Sequence, residues 1–303
     1  MQDCIIIGGG PAGLTAAIYL VRKKVNIQVL SNSLGGQIMD GPLIENYPGF
    51  EQLPGPDWVT KVKEQADKLG VKFELNAEVT KISQENNIFA VETTNGKFEG
   101  KSVLIASGKT PRKLGVPGEE EFLGKGVSHC VTCDGPLFSG KTVAVIGGGN
   151  SAISAALELE KYAQKVYVIN LGSALIGEEV RIDQLKKSTK VEIIGQAKTT
   201  AISGSKFVES LKYQDLSSSQ EKKIACQGII VEIGWVPSTK YLEGFVELSD
   251  TKEIKIDKEN ATSVPGVFAA GDVTEIPYKQ LVIAAGQGAN AAMSVWDYLS
   301  KLK

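Results

Sequence analysis

One stretch of this chain occurs twice. "IGGGPAGLTAAIYL" (7–20) returns 139 residues further on as "IGGGNSAISAALEL" (146–159), with the Ile-Gly-Gly-Gly start, the paired alanines and the leucine beyond them all kept. Each copy follows an apolar, β-branched run ("CIII", "TVAVI") and leads into an apolar stretch with small residues on one side. Such a run suits a strand buried on both faces of a parallel sheet. In the pattern G-x-G-x-x-G, the first glycine makes the turn from strand to helix. The second lets backbone approach a pyrophosphate, the third lets helix pack on strand, and the phosphates rest on the helix N-terminus. Gly8, Gly10 and Gly13 fill these places in the first copy, with Pro11 and Ala12 between them. Gly147, Gly149 and Ala152 fill them in the second, around Asn150 and Ser151. One match reads equally well as a tight turn; two in the same strand–turn–helix context read as two nucleotide sites.

The repetition continues where each unit would close. "LIASGKTP", with Ala106, Gly108 and Pro111, corresponds to "IVEIGWVP", with Gly234 and Pro237 at the same spacing. A length of 303 residues also favours two domains. The expected fold class is α/β: two Rossmann-like dinucleotide-binding domains, each of three layers, the second inserted into the first. The first is expected over residues 1–112 and 241–303, the second over 113–240. Two short crossings near Pro111 and Pro237 would then act as a hinge. The returning segment carries "GVFAAGDV" (266–273), an apolar strand ending in a small-residue turn with Asp272 leaving it. A carboxylate at the carboxyl edge of such a sheet can accept hydrogen bonds from polyol hydroxyls.

Composition narrows the classes. A net charge of −2 offers nothing to a polyanion such as nucleic acid. Four cysteines in the whole chain are too few for a secreted disulfide scaffold. The uncharged run from Cys4 to Val21 is long enough to suggest a membrane span, but Gly-Gly-Gly-Pro at its centre breaks a helix. No basic segment precedes the first apolar run, so a signal peptide is not expected and the protein is read as cytoplasmic.

"SHCVTCDG" (128–135) sets two cysteines two residues apart, an aspartate after them and the chain's single histidine before them. A zinc half-site, a static crosslink and a redox disulfide all use such spacing. Zinc needs about four ligands, whereas Cys4 is expected in the first strand and Cys226 alone in the second domain's closing strand; no metal site is expected. A crosslink across two residues constrains little chain entropy and tends to open in a reducing compartment. Exchange chemistry fits best, because one thiolate of a Cys-x-x-Cys pair is stabilised by its neighbours and reacts through a mixed disulfide.

Taken together, the first glycine loop, "LGGQI", "IENYPGF", "IASGKTPR", "CVTCDG", the second loop and "GVFAAGDV" resemble the flavoprotein disulfide reductases of the low-molecular-weight thioredoxin reductase type. "CDGPLFSGK" and "IPYKQLVIAAGQGANAAMSVWDYL" are especially similar to the reductase portion of the alkyl hydroperoxide reductase flavoprotein subunit. The resemblance implies FAD on Gly8 to Gly13, with Gly35, Gly36, Gln37, Asn46, Ala106 and Gly108 near it and Asp272 on its ribityl chain. Lys279, Gln280 and Leu281 would meet the pyrimidine end of the flavin, where a helix N-terminus favours the anionic reduced ring. It implies, too, that Cys133 takes electrons from the flavin, Cys130 attacks a thioredoxin-like protein, Asp134 moves the proton, and the protein is a homodimer. His129 has no role that the family requires.

The donor is left open. An NADPH site needs cations after the second strand of its unit to hold the 2′-phosphate, and an NADH site usually offers a carboxylate there. "VYVINLGSALIGEEV" (166–180) has Asn170 at that place and no arginine before Arg181. NADPH is therefore disfavoured. NADH remains, since an asparagine can bond a ribose hydroxyl, and so does a ferredoxin-like carrier.

Overall fold

The apolar runs before the two glycine loops become central strands of two parallel sheets, as their lack of charge requires. The computed structural model describes residues 1–39, 44 and 46–302, apart from the side chain of Cys133. Two compact units result, one of residues 1–110 and 236–303 and one of residues 111–235. Both are mixed α/β units of Rossmann-like build.

The first unit begins with β1 (Gln2–Gly9), α1 (Pro11–Arg22), β2 (Ile27–Leu34), α2 (Gly55–Lys68) and β3 (Phe73–Glu74). A meander of β4 (Val79–Glu85), β5 (Ile88–Thr93) and β6 (Gly96–Ile105) follows. Strand β6 changes partners along its length: its first half is antiparallel to β5, while Ser102–Ile105 runs parallel to β1. The chain leaves through β7 (Lys109–Pro111).

The second unit has β8 (Val127–Ser128), α3 (Val131–Asp134), β9 (Thr142–Ile146), α4 (Asn150–Leu159), β10 (Lys165–Ile169), α5 (Glu179–Lys187) and β11 (Val191–Ile194). Next come the antiparallel β12 (Ala197–Gly204), β13 (Val208–Asp215) and β14 (Glu221–Ala225), then β15 (Gly228–Val231). Its parallel sheet has the order β11-β10-β9-β15-β8. The return strand β16 (Trp235–Pro237) pairs with β7, and the first unit is completed by β17 (Val267–Ala269) beside β6 and by α6 (Leu281–Lys301).

The alternation of side chains along a strand assigns each sheet two different covers. In β1, Cys4 and Ile6 face the helix layer with Ala16, Ala17 and Ala291, while Ile5 and Ile7 face Phe89 and Val91 of the meander. In β9, Val143 and Val145 face α4, whereas Ala144 and Ile146 face Leu211 and Tyr213 of the three-stranded layer. Small residues set the helix spacing: a Cβ on Gly288 of α6 would stand 2.1 Å from the Ala12 carbonyl oxygen of α1.

Three details differ from the sequence expectation, the first being that residues 111 and 112 go with the second unit rather than the first. Cys226 lies in the bend between β14 and β15 rather than in the closing strand, its amide bonded to the Glu209 carbonyl. Residues 236–240 go with the first unit, because Ser107 donates to the Ser238 carbonyl at 3.0 Å and Ser238 N–H donates to the Gly108 carbonyl at 3.0 Å. The stretch from Cys4 to Val21 splits into strand, turn and helix, and among the described residues no helix is long and apolar enough to cross a membrane.

Candidate functional site

The first glycine loop opens onto a cavity of about 1090 Å³ within the first unit, at the upper end of the size range of ligand sites. Gly8 has φ +112°, and a Cβ there would lie 2.2 Å from the Ala106 carbonyl oxygen. Gly13 packs helix against strand, its place for a Cβ being 1.9 Å from the Gly8 carbonyl oxygen. Gly10, the N-cap of α1, has no atom of the described residues within 4 Å of its missing Cβ, so the loop is open there. Turn, packing and open approach thus fall on three successive glycines, as a pyrophosphate seat requires.

Of the residues read as FAD-binding, Gly8, Gly10, Pro11, Ala12, Gly36, Gln37, Asn46, Ala106, Gly108, Asp272, Lys279, Gln280 and Leu281 line this cavity. Gly13 and Gly35 do not; Gly35 donates to the Gly9 carbonyl at 2.8 Å and supports the loop from behind. Gln37 Nε2 donates to Asp272 Oδ2 at 3.2 Å, and Asn46 Nδ2 donates to Gln280 Oε1 at 3.0 Å. Burial pushes the Asp272 carboxyl above its ordinary pKa, against the bond from Gln37 and the charges of Lys279 and Lys109. Glu45 of "IENYPGF" lies outside the described residues.

Sequence reasoning missed Ser107, Ser238 and Tyr241 on the same wall. The Tyr241 hydroxyl lies 3.1 Å from Ser107 Oγ, to which it donates, and burial raises its pKa. Among the described residues, the buried Ser238 hydroxyl has no hydrogen-bond partner. An orphaned hydroxyl, two amides, a carboxylate and an open glycine loop form a donor and acceptor set that fits a dinucleotide with a polyol chain.

Beside this wall, Glu253 accepts from Lys109 at 2.9 Å and pairs with Lys279 at 3.1 Å, all three side chains largely buried. Burial alone would raise the Glu253 pKa, but the bonds from Lys109, Thr251 and Lys279 outweigh it and hold it at about 2. A pKa lowered in the folded state stabilises above the unfolded value, and that stability is lost as pH falls toward the folded one. Glu253→Gln should therefore lower stability at neutral pH by on the order of 2 kcal/mol. The gap from the parent should close between pH 4.5 and about 2 in denaturant titrations; a constant gap would show that the triad's charge is irrelevant.

Cys130 of the second unit is disulfide-bonded, whereas Cys4 of the first unit and Cys226 of the second are buried free thiols with pKa values raised to about 12 by burial. The side chain of Cys133 lies outside those described. Cys130 follows β8 and heads the single turn of α3. Its N–H donates to Ser128 Oγ at 3.0 Å, and its carbonyl accepts from the Asp134 N–H at 3.2 Å. Among the described residues, the buried His129 Nδ1 has no hydrogen-bond partner.

Asn170 is not available to a ribose as expected. It is buried, its Nδ2 donates to the Ala174 carbonyl at 2.8 Å, and its Oδ1 accepts from Gly172 N–H at 3.2 Å. It fastens the turn after β10. Arg181 is committed to Glu178 at 3.2 Å and Ser154, and Lys165 to Glu192 at 2.9 Å. No cation among these is left for a 2′-phosphate.

The sequence pattern of the pyridine nucleotide-disulphide oxidoreductases matches residues 2–293. The F component of alkyl hydroperoxide reductase from Pseudomonas putida is 41% identical over 302 residues, 98% of this chain and 58% of that protein. The chain thus spans a little over half the length of such relatives. Thioredoxin reductase of Lactococcus lactis, in its FR conformation, superposes with a TM-score of 0.88 at 33% identity, covering 99% of this chain and 100% of that one. Thioredoxin reductase of T. acidophilum does so at 0.85 and 36%, covering 100% and 99%.

Proposed function

We propose that this chain, which belongs to the pyridine nucleotide-disulphide oxidoreductase family, is an FAD-dependent protein-disulfide reductase that acts on a thioredoxin-like protein through Cys130 and Cys133. The observation that carries this reading is the disulfide-bonded Cys130 within Cys-x-x-Cys-Asp, in a chain whose other unit holds a cavity of about 1090 Å³ opened by a glycine loop. Bound FAD would supply two-electron redox chemistry. Gly8, Gly10 and the α1 N-terminus would hold its pyrophosphate, and Asp272 with Gln37 its polyol chain.

The Cys130–Cys133 disulfide takes up two electrons and two protons and opens to two thiols. The Cys130 thiolate then attacks the disulfide of the partner protein, expelling one partner thiolate and forming a mixed disulfide. Cys133 then attacks the Cys130 sulfur and expels the second partner thiolate, so that the chain's disulfide re-forms and the partner leaves as a dithiol. Asp134, one position past Cys133, accepts and returns the proton that this exchange moves. NADH is favoured over NADPH as donor because the nearby cations are already paired, Lys165 with Glu192 and Arg181 with Glu178, and a 2′-phosphate would need them.

A second reading, with a ferredoxin-like donor and the second unit serving as scaffold, is favoured by the buried, self-bonded Asn170. The test is anaerobic. FAD-loaded protein is mixed with NADH, NADPH or reduced ferredoxin, bleaching of the flavin is followed, and oxidised thioredoxin is then added. NADH should bleach the flavin and thioredoxin restore it; a bleached flavin that no protein disulfide reoxidises would remove the proposed substrate class. Denatured protein should expose two thiols when oxidised and all four after reduction.

A further inference from the structure

The two units repeat one frame, so each reports on the other. The Ala106 N–H donates to the Ile7 carbonyl at 2.7 Å, and the Glu232 N–H donates to the Ile146 carbonyl at the same distance. A Cβ on Gly8 would meet the Ala106 oxygen at 2.2 Å, and one on Gly147 the Glu232 oxygen at 2.1 Å. Beyond the second strand, Gly35 N–H bonds the Gly9 carbonyl and Ile176 N–H the Gly148 carbonyl, both at 2.8 Å. Glu232 therefore stands in the second unit where Ala106 stands in the first, and Glu178 where Gln37 stands. Ala106 and Gln37 line the first unit's cavity. At the corresponding places around the second glycine loop, a methyl group and an amide have become two carboxylates.

They differ in their surroundings. Glu178 is exposed and paired with Arg181. Glu232 is partly buried, and among the described residues no hydrogen bond or ion pair holds its carboxylate. The neighbouring loop and first turn of α4, Gly147 to Ser151, carry no charge. The segment after β10 contributes Glu178 with Arg181. On the other side β15 pairs with β8, whose continuation past Ser128 is His129.

We propose that Glu232 is the residue that sets the affinity and selectivity of the second glycine loop: its carboxylate opposes the pyrophosphate of a pyridine dinucleotide, so that NADH is held weakly and the more highly charged NADPH more weakly still. The proposal rests on reading the second unit as the donor site. Two anionic groups sharing a partly buried crevice repel strongly enough to shift binding by a factor of ten or more, roughly. Burial pushes the Glu232 carboxyl up to about 7. Above that pH the group is charged and repels the pyrophosphate. Below it the group is neutral and its O–H can donate to a phosphate oxygen. Dinucleotide affinity must therefore rise as pH falls through neutrality.

The experiment titrates NADH and ADP-ribose calorimetrically into the FAD-loaded protein at about pH 6 and about pH 8, on either side of the carboxyl. It uses the parent, Glu232→Gln and Glu232→Ala, with FAD content and melting temperature confirming the fold. Parent affinity for both ligands should fall about tenfold from the lower to the higher pH. Glu232→Gln should bind at the higher pH at least as tightly as the parent does at the lower, Glu232→Ala should bind more tightly than the parent at the higher pH, and neither should show that dependence. Binding by the parent that ignores pH, or a pH dependence retained in Glu232→Gln and so owed to another group, would overturn the proposal. Absence of dinucleotide binding in all three proteins at both pH values would instead overturn the donor-site reading beneath it, and the proposal with it.

Discussion

Cys130→Ser should reduce turnover of a thioredoxin disulfide by at least about 1000-fold, the scale on which loss of a nucleophile is felt, while FAD stays bound. A hydroxyl of nearly the same size replaces the sulfur, and the bonds that fix the segment run through the backbone: Cys130 N–H to Ser128 Oγ, and Asp134 N–H to the Cys130 carbonyl. The fold should therefore be untouched, while the hydroxyl can neither form a disulfide nor attack one at neutral pH. Cys4→Ala and Cys226→Ala serve as controls, since burial holds both thiols near 12 and neither reacts at neutral pH. Insulin precipitation coupled through thioredoxin measures the effect. Activity within a few fold of the parent in Cys130→Ser would make the pair structural.

The glycine loops were legible because local stereochemistry writes them: Gly8 and Gly147 need positive φ, and only glycine fits against the facing carbonyl. The buried strands were legible because "CIII" and "TVAVI" have no polar face to give to solvent. The closing strand of the second unit was read too broadly, since Cys226 and β15 are separated by a bend that the apolar run conceals.

What stayed hidden depends on contacts distant in sequence. Lys109, Glu253 and Lys279 meet only after the inserted unit has been spanned and the chain has returned. Ser107 finds Ser238 and Tyr241 the same way. Asn170 misled for a different reason. Its residue type is right for a ribose contact, but an asparagine after a strand competes for backbone groups nearby, and here the competition is won by Gly172 and Ala174. Glu232 was in plain view in "IVEIGWVP", set against Ala106 of "LIASGKTP" by the shared glycine and proline spacing, and the matching backbone bonds of the two units put the two residues at the same place.

Two neighbouring glycines should separate folding from cofactor binding. Gly8→Ala places a Cβ 2.2 Å from the Ala106 carbonyl oxygen in a residue held at φ +112°. Relief requires β1 or the 106–108 turn to move, a cost of roughly 3 kcal/mol or more for strain and clash together. Its FAD should be lost along with stability. Gly147→Ala meets the same obstacle against the Glu232 oxygen at φ +145°, so it should destabilise the second unit while the first keeps one FAD per chain. Gly10→Ala is the discriminating case. Nothing lies within 4 Å of its new methyl group, so the apoprotein should melt within a few degrees of the parent, as surface-like substitutions do. The methyl nevertheless projects where backbone must come up to the pyrophosphate, and FAD affinity should fall by about tenfold or more. Absorbance of gel-filtered protein gives FAD per chain, and denaturant titration of the apoproteins gives stability. A Gly10→Ala protein that takes FAD as tightly as the parent would mean that the cofactor does not sit on the first glycine loop.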